Sequence, residues 1–119
     1  MNRIRLVLAV LVACALWVAA SASAATTLVA TVGPGSTVVL KTGGGQVVKS
    51  LKAGSYTIVV RDRSRGLNFH LQGPTNALNR STTLKFTGKT TWRLKLAKGK
   101  YQYYSDRGGS KLKKGFRVV

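Results

Sequence analysis

The sequence predicts an all-β domain folded as a sandwich or barrel, and three observations lead to that prediction. Apolar and polar residues alternate in short runs throughout residues 25–119. Glycine, proline, asparagine and serine separate these runs at intervals of roughly 8–12 residues, a spacing typical of β-sandwiches. No stretch of this region repeats with the period of about 3.6 residues that an amphipathic helix requires. The pattern therefore predicts about eight short strands in one domain.

The first half of the domain contains four predicted strands. Three consecutive glycines at 43–45 favour a hairpin between the second and third strands, because glycine readily adopts the positive φ angles of tight turns. The fourth strand is rich in β-branched and aromatic residues, which suit a buried position in a sheet. The four strands are expected at 26–32, 37–42, 46–51 and 56–61.

The clearest strand of the second half covers residues 90–98. Trp92, Leu94 and Leu96 alternate there with basic residues, which predicts one buried and one solvated face. A hairpin around Gly88 would join this strand to another at 82–87. The polar stretch 75–80 is expected to be a loop, and further strands are expected at 67–72, 101–104 and 116–119.

Residues 1–24 have the layout of a secretory signal peptide. Two arginines precede an apolar run of 15 residues, and a small-residue Ala-Ser-Ala site ends at Ala24. The run is shorter than the roughly 20 residues of a membrane-spanning helix, which disfavours a retained anchor. We therefore expect cleavage after Ala24, one domain over 25–119, no transmembrane span after processing, and a secreted, periplasmic or cell-envelope protein. Lipidation of Cys14, which follows a lipobox-like Leu-Val-Ala, is the alternative form of processing.

The charge balance of the predicted mature domain is strongly positive. Two of the 20 Lys and Arg residues lie in the signal region, so 18 remain against Asp62 and Asp106, a net charge of about +16. Such a field attracts polyanions over a Debye length of about 10 Å at moderate salt. Outside the cytoplasm this favours anionic cell-envelope polymers or lipid headgroups as partners, whereas export disfavours a dedicated nucleic-acid role. Solubility alone is the other explanation of the charge. The sequence carries no signal for an oligomeric state.

Two stretches resemble the copper-binding segments of the small bacterial cupredoxins, the plastocyanin-like blue copper proteins. The first, Asp62-Arg-Ser-Arg-Gly-Leu-Asn-Phe-His-Leu, is similar to the family pattern D-x-S-x-x-H-N-F-H-L. The second, Gly99-Lys-Tyr-Gln-Tyr-Tyr-Ser-Asp-Arg-Gly and the residues to Gly115, is similar to G-x-Y-x-(aromatic)-x-C-D-P-H-x-x-x-M-K-G. The resemblance implies a Greek-key, cupredoxin-like β-sandwich.

The resemblance also implies where a copper ion would bind, and the four ligands at those positions are replaced. Leu67 and Gly108 stand at the two histidine positions, Ser105 at the cysteine and Leu112 at the axial methionine. A blue copper site needs two imidazoles, a thiolate and a weak thioether. Residues 25–119 contain neither Cys nor Met, because Cys14 and Met1 are the only ones in the chain. We therefore expect vestigial ligand positions and no copper cofactor; copper belongs only to the alternative of a working electron-transfer protein.

The remaining candidates for chemistry are weak. His70 matches the family's second, non-ligating histidine, and alternation places it with Asn68 and Gln72 on the face of its strand away from Leu67, Phe69 and Leu71. We expect it to be a solvated or locally bonded strand histidine and not a metal ligand. A triad of Ser105, His70 and an aspartate has no supporting motif. Both aspartates lie in turns beside arginines, which favours capping of backbone N–H groups and the ionised form. No catalytic residue is predicted.

The last part of the domain is rich in basic residues interleaved with tyrosines. Such a pattern suits contact with anions. The anion-contact candidates are Lys98, Lys100, Arg107, Lys111, Lys113 and Lys114. Taken together, the sequence predicts an exported, non-enzymatic domain with a degenerate copper site that acts as a basic binding or structural module at the cell envelope. The alternatives are a copper-binding electron-transfer protein and a relic without activity.

Overall fold

The structure is a computed structural model, and it describes residues 25–119. Its nine strands form two sheets, and one short 3₁₀ helix lies outside them, so the predicted all-β sandwich is confirmed. The strands are β1 (Thr26–Val32), β2 (Val38–Thr42), β3 (Ser50–Leu51), β4 (Gly54–Asp62), β5 (His70–Gln72), β6 (Asn79–Ser81), β7 (Gly88–Leu96), β8 (Gly99–Tyr104) and β9 (Lys114–Val118), with the 3₁₀ helix at Gly109–Leu112.

The first sheet has the strand order β2-β1-β4-β7. Strand β1 pairs antiparallel with β2 and parallel with β4, where Leu28 lies opposite Ile58. Strand β7 continues the sheet antiparallel to β4, with Trp92 opposite Ile58. Because Cβ atoms alternate between faces, these three residues point to the same side, and all are buried.

The second sheet has the order β3-β9-β8-β5-β6. Its centre is the antiparallel pair β8 and β9, in which Tyr101 lies opposite Phe116. Strands β5 and β6 extend it on one side, and the short β3 pairs parallel with β9 on the other. The sheet is thus assembled from strands far apart in the chain, as in a Greek-key arrangement.

The two sheets enclose one apolar core. Phe69 is fully buried, and its ring centroid lies 5.7 Å from those of both Trp92 in the first sheet and Tyr103 in the second. Burial raises the pKa of Tyr103, and a hydrogen bond to the backbone of Leu40, across the sandwich, offsets part of that rise. Aromatic packing therefore joins the two layers in the middle of the molecule.

Three local predictions are wrong. The strand predicted at 46–51 as the partner of β2 does not form. A single bridge joins Val47 to Lys41 of β2, and β3 then pairs with β9 in the other sheet. The predicted loop at 75–80 ends in strand β6, and the predicted strand at 82–87 is a turn, where Phe86 N donates to Thr83 O at 3.1 Å. Strand β6 pairs with β5 in the second sheet, whereas β7 pairs with β4 in the first, so the predicted hairpin around Gly88 does not form.

The predicted strand at 67–72 is also shorter than expected. Only β5 pairs as a strand, and the preceding residues Leu67, Asn68 and Phe69 lie outside any strand and are buried. The signal-peptide and lipidation predictions fall on residues outside the described range. Within residues 25–119, no helix is long and apolar enough to cross a membrane.

Candidate functional site

The four positions singled out by the resemblance lie at one end of the sandwich, in the loops before β5 and after β8. Leu67, Ser105 and Leu112 are buried. A Cβ placed on Gly108 would lie 2.6 Å from Leu112 Cδ1 and 3.7 Å from Leu67 Cδ2. Ser105 lies next to the Leu67 loop, because the backbone N of Asn68 donates to Ser105 Oγ at 3.1 Å. The fold therefore brings all four residues to the same small region.

The side chains in this region do not fit a copper ion. Two leucine side chains fill the space between the loops, Gly108 has no side chain, and Ser105 offers a hard hydroxyl oxygen instead of a thiolate. Within residues 25–119, the structure contains no group of three or more His, Cys, Asp or Glu that could hold a metal ion. The arrangement supports apolar packing and offers no soft donors for metal coordination.

Gly108 has a backbone conformation that favours glycine. Its φ of 111° lies in a region that residues with a Cβ rarely adopt, and Leu112 occupies the space that a side chain would need. The loop is therefore shaped around a glycine and a leucine at these two positions.

Asn68 is the central residue of the loop end, and the prediction that it lies on the solvent face is wrong. It is 1% exposed. Its Nδ2 donates to Thr82 O at 2.8 Å and to Asp106 Oδ2 at 2.7 Å. Its Oδ1 accepts bonds from Asp106 N at 2.8 Å and Ser105 Oγ at 3.1 Å. One buried amide thus ties together the loops at 67–69, 82–83 and 105–106.

His70 and Asp106 form a pair at the rim of this network. His70 Nδ1 lies 2.7 Å from Asp106 Oδ1, and its Nε2 contacts Asn79 Oδ1. The His70 ring also stacks on Tyr104, with centroids 4.6 Å apart. Burial raises the pKa of Asp106, but hydrogen bonds from Asn68 and His70 lower it by more, so the net shift is downward. His70 is therefore a locally bonded strand histidine, as expected, and its partners orient the loop.

The pKa of Asp62 shifts upward, in the opposite direction to that of Asp106. It makes the predicted turn contact, since Ser64 N donates to its Oδ1 at 3.0 Å. The residue is only 2% exposed, however, and its Oδ2 has no hydrogen-bond partner. Burial raises the pKa of Asp62, and the bond from Ser64 offsets only part of that rise. The prediction that the neighbouring arginines favour the ionised form of Asp62 is therefore wrong, because burial determines the direction of its pKa shift.

The residue types of a hydrolytic triad are near one another without forming one. Ser105 Oγ bonds to Asn68 and to Arg107 N, at 3.1 and 3.2 Å. The two ring nitrogens of His70 bond instead to Asp106 and Asn79. The serine hydroxyl is thus used to hold the loop, and the imidazole is not positioned to take its proton.

Comparisons with known proteins identify the architecture. A scan against protein-family models and a search of curated proteins both give no match. Among solved structures, reduced rusticyanin is similar with a TM-score of 0.59 and 15% identity, over 82% of each chain. Rusticyanin from Thiobacillus ferrooxidans has a TM-score of 0.57 and 14% identity, over 78% of this chain and 76% of that one. A histidine-to-methionine variant of rusticyanin also has a TM-score of 0.59, at 15% identity. Rusticyanin is a cupredoxin.

This chain has the cupredoxin fold. The expectation drawn from the two quoted stretches is therefore confirmed for the architecture. At 14–15% identity the similarity concerns the fold alone.

The cupredoxin-like sandwich carries two separate basic regions, and they divide the predicted anion-contact residues. The first, which we call the basic trough, is a pair of adjoining depressions of about 420 and 310 Å³ that share Lys100, Tyr101 and Gly115. Gly115 lies opposite Gln102 in the pairing of β8 with β9. The cationic residues of the trough are Lys49, Lys100, Lys113, Lys114 and Arg117.

The second region, which we call the basic pocket, lies beside the loop end. It has a volume of about 530 Å³ and is lined by Arg65, Gly66, Leu84, Lys85, Thr87 and Arg107. Of the predicted anion-contact residues, three line the trough and Arg107 lines the pocket. Lys98 and Lys111 are exposed and line neither. Four lining cations were not among the predicted contacts: Lys49, Arg65, Lys85 and Arg117. The first three lie far along the chain from the basic C-terminal part, whereas Arg117 lies within it.

Proposed function

We propose that this chain is an exported, non-enzymatic cupredoxin-like domain that has lost its copper site and binds an anionic polymer of the cell envelope through the basic trough. The observation that carries the proposal is the convergence of five cationic side chains, from three separate segments, around Gly115. Anionic lipid headgroups offer the same chemistry on a different support, and the experiment below separates the two.

The shape and charge of the trough support an extended ligand. Cations on β8 and β9 lie in register, since Lys100 pairs with Arg117, and Lys49 lies beyond them toward β3. Lys113 and Lys114 lie at the other end of β9, with Lys113 Nζ 5.4 Å from the centroid of the Tyr104 ring. A line of cations along an open groove suits a chain of repeated negative charges, because each contact releases a bound counterion.

The charge of the whole domain supports the same partner. Only two acidic side chains occur in the sequence, and in the structure neither lines the trough. One of them, Asp106, is held by Asn68 and His70 at the loop end, and the other, Asp62, is buried. A positive field without internal neutralisation speeds the approach of polyanions and strengthens their binding at low salt.

The test is binding of dextran sulfate to the purified protein, measured by calorimetry across a range of salt concentrations. We expect affinity to fall steeply as salt rises, because counterion release and screening set it. The variant Lys49→Gln/Lys100→Gln/Arg117→Gln should lose at least tenfold in affinity. The matched variant Lys41→Gln/Lys89→Gln/Lys95→Gln removes the same charge from exposed positions of the first sheet and should lose much less.

Three outcomes would count against this function. Undetectable binding at low salt would leave solubility as the role of the charge. Equal losses in the two variants would mean that the net charge acts without the trough. Binding to phosphatidylglycerol vesicles in the absence of dextran sulfate binding would assign the surface to lipid headgroups instead.

The loss of copper is supported by the donor chemistry at Leu67, Ser105, Gly108 and Leu112, and it is tested by titration with Cu(II). We expect no intense visible absorption and no tight stoichiometric site, because the domain offers no thiolate or thioether and a single imidazole. A protein isolated with one tightly held copper would establish the alternative, a copper-binding electron-transfer protein.

A restoration experiment tests the assignment of the four positions themselves. The variant Leu67→His/Ser105→Cys/Gly108→His/Leu112→Met should bind copper and turn blue, whereas the single changes should stay colourless. Without copper this variant should be less stable than the parent, because Gly108→His puts a side chain on a residue with a φ of 111°. A folded quadruple variant that stays colourless would contradict the assignment.

Export is tested by the mass of the protein recovered from the producing cells. Cleavage after Ala24 predicts a chain that begins at Ala25. A lipidated N-terminus at Cys14, or an uncleaved chain, would contradict this prediction.

A further inference from the structure

We propose that the basic pocket is a second binding site, and that it takes a small organic anion with one negatively charged head group and a compact apolar body. The pocket is built from three loops, which contribute Arg65 before β5, Lys85 before β7 and Arg107 after β8. It shares no residue with the basic trough. The inference is therefore independent of the proposed polymer-binding function.

The pocket is held open by contacts between its loops. Gly66 N donates to Leu84 O at 3.2 Å, which joins the Arg65 loop to the Lys85 loop. The Arg107 guanidinium lies over Gly66, since a Cβ placed on that glycine would be 3.4 Å from Arg107 Nη1. Arg107 N itself is bonded to Ser105 Oγ at 3.2 Å, which anchors the third loop to the buried network. The backbone of the three loops that carry the cations is thus fixed before any ligand binds, which lowers the ordering cost of binding.

The three cations around the pocket lack a carboxylate partner. Within residues 25–119 the salt bridge that the structure contains is that of His70 with Asp106, and neither residue lines the pocket. Three like charges around one cavity repel one another, and an anion in the cavity would remove that repulsion. Two of the three are arginines, whose planar guanidinium groups suit the oxygens of a carboxylate, sulfonate or phosphate.

The pocket is larger than a simple inorganic anion requires. Its volume of about 530 Å³ lies within the roughly 300–1,000 Å³ of small-molecule sites. Leu84 is half-buried in its wall, and the backbone of Gly66 leaves the floor without a side chain. An apolar body of the size of a bicyclic ring would cover Leu84 while its head group met the cations. Cationic groups beside an apolar wall favour an amphiphilic anion over inorganic sulfate or phosphate.

The experiment uses naphthalene-2-sulfonate as the probe and follows backbone amide resonances of the purified protein. We expect saturable shifts at Gly66, Leu84 and Arg107, with small changes at Gly115. Inorganic sulfate, which has the charge without the apolar body, and naphthalene-2-methanol, which has the body without the charge, should each bind at least tenfold more weakly. This part needs no variant, so it does not depend on the folding of a mutant.

Variants then separate the two basic regions. Arg65→Gln/Lys85→Gln/Arg107→Gln should weaken naphthalene-2-sulfonate binding at least tenfold, and Lys49→Gln/Lys100→Gln/Arg117→Gln should change it by less than threefold. Dextran sulfate should show the reverse order. Shifts centred on Gly115, equal losses in both variants, or sulfate binding as tight as that of the probe would overturn the proposal. A protein that binds the probe and not dextran sulfate would retain the pocket and refute the polymer-binding function.

Discussion

In the middle of the sandwich, the rings of Phe69, Trp92 and Tyr103 pack together in a buried apolar layer, whereas the loop end is organised around the amide of Asn68. Both regions are buried, and Phe69 and Asn68 are adjacent in the chain. Their side chains nevertheless face different surroundings. The middle is stabilised by removal of apolar surface from water, and the loop end by the satisfaction of polar groups that the loops would otherwise bury without partners.

This difference shows which of the protein's own contacts hold the loop end in shape. The loops that carry Leu67, Ser105 and Leu112 are joined by hydrogen bonds between Asn68 and Ser105 on one side and by leucine packing on the other. Hydrogen bonds are directional, so they define loop geometry more closely than apolar contact does. The geometry of the loop end is therefore set by these hydrogen bonds together with the packing of the two leucines.

The largest expected effect is in the middle of the sandwich. Phe69→Ala should destabilise the protein by about 3–5 kcal/mol, because it leaves a cavity between the two sheets. Urea denaturation measures the loss, and Phe69→Leu, which retains most of the volume, should cost clearly less. A loss below about 1 kcal/mol would show that the ring does not join the layers.

The next effect concerns the hydrogen-bonded loop end. Asn68→Ala should cost about 3 kcal/mol, because each buried polar group left unsatisfied costs roughly 1–3 kcal/mol and several partners lose their bond at once. Asn79→Ala provides the control, since Asn79 is exposed, and it should cost less than about 1 kcal/mol. Equal losses in the two variants would contradict the central role of Asn68.

A smaller effect is expected for the leucine side of the loop end. Leu112→Ala should cost about 2 kcal/mol, at the lower end of the range for such changes, because Leu112 is 8% exposed and lies in a loop that can adjust. Leu112→Met should be nearly neutral, as volume-conserving changes usually are. A loss as large as that of Phe69→Ala would mean that the loop end is held mainly by packing.

The smallest effect is the opposite pH dependence of the two aspartates. The lowered pKa of Asp106 makes its carboxylate stabilising above the unfolded value of about 3.9, and this contribution is lost as pH falls through the folded-state pKa. Because the pKa of Asp62 is raised, its protonated carboxyl group stabilises the folded protein below about pH 3.9. This contribution is lost as pH rises through the folded-state pKa.

Urea denaturation between pH 2.5 and pH 7 checks these signs. The deficit of Asp106→Asn relative to the parent should shrink as the solution becomes acidic. Asp62→Asn should compare less favourably with the parent at low pH than at pH 7. Parallel curves for the two variants would show that the environments of the carboxylates do not differ as described.

Several features of this protein follow from its sequence alone. Alternating apolar residues predicted β1, β4 and β7 closely, because each of these strands has one face on the core and a period of two residues. The resemblance of the two quoted stretches to the cupredoxin pattern implied the cupredoxin fold, although four positions of that pattern carry other residues here. The absence of Cys and Met from residues 25–119 is likewise a property of composition.

Other features were decided by tertiary structure. Alternation predicted Asn68 on the solvent face, but the segment that contains it lies outside strand β5. The side-chain amide of Asn68 is buried against the loops at 82–83 and 105–106. The positions of β3 and β6 depend on pairing with distant strands, which local propensity does not encode. The two basic regions combine residues far apart in the chain, such as Lys49 with Lys100 and Arg65 with Arg107. Composition therefore determined the sign and size of the charge, while the fold determined where that charge is concentrated, because only long-range contacts bring distant loops together.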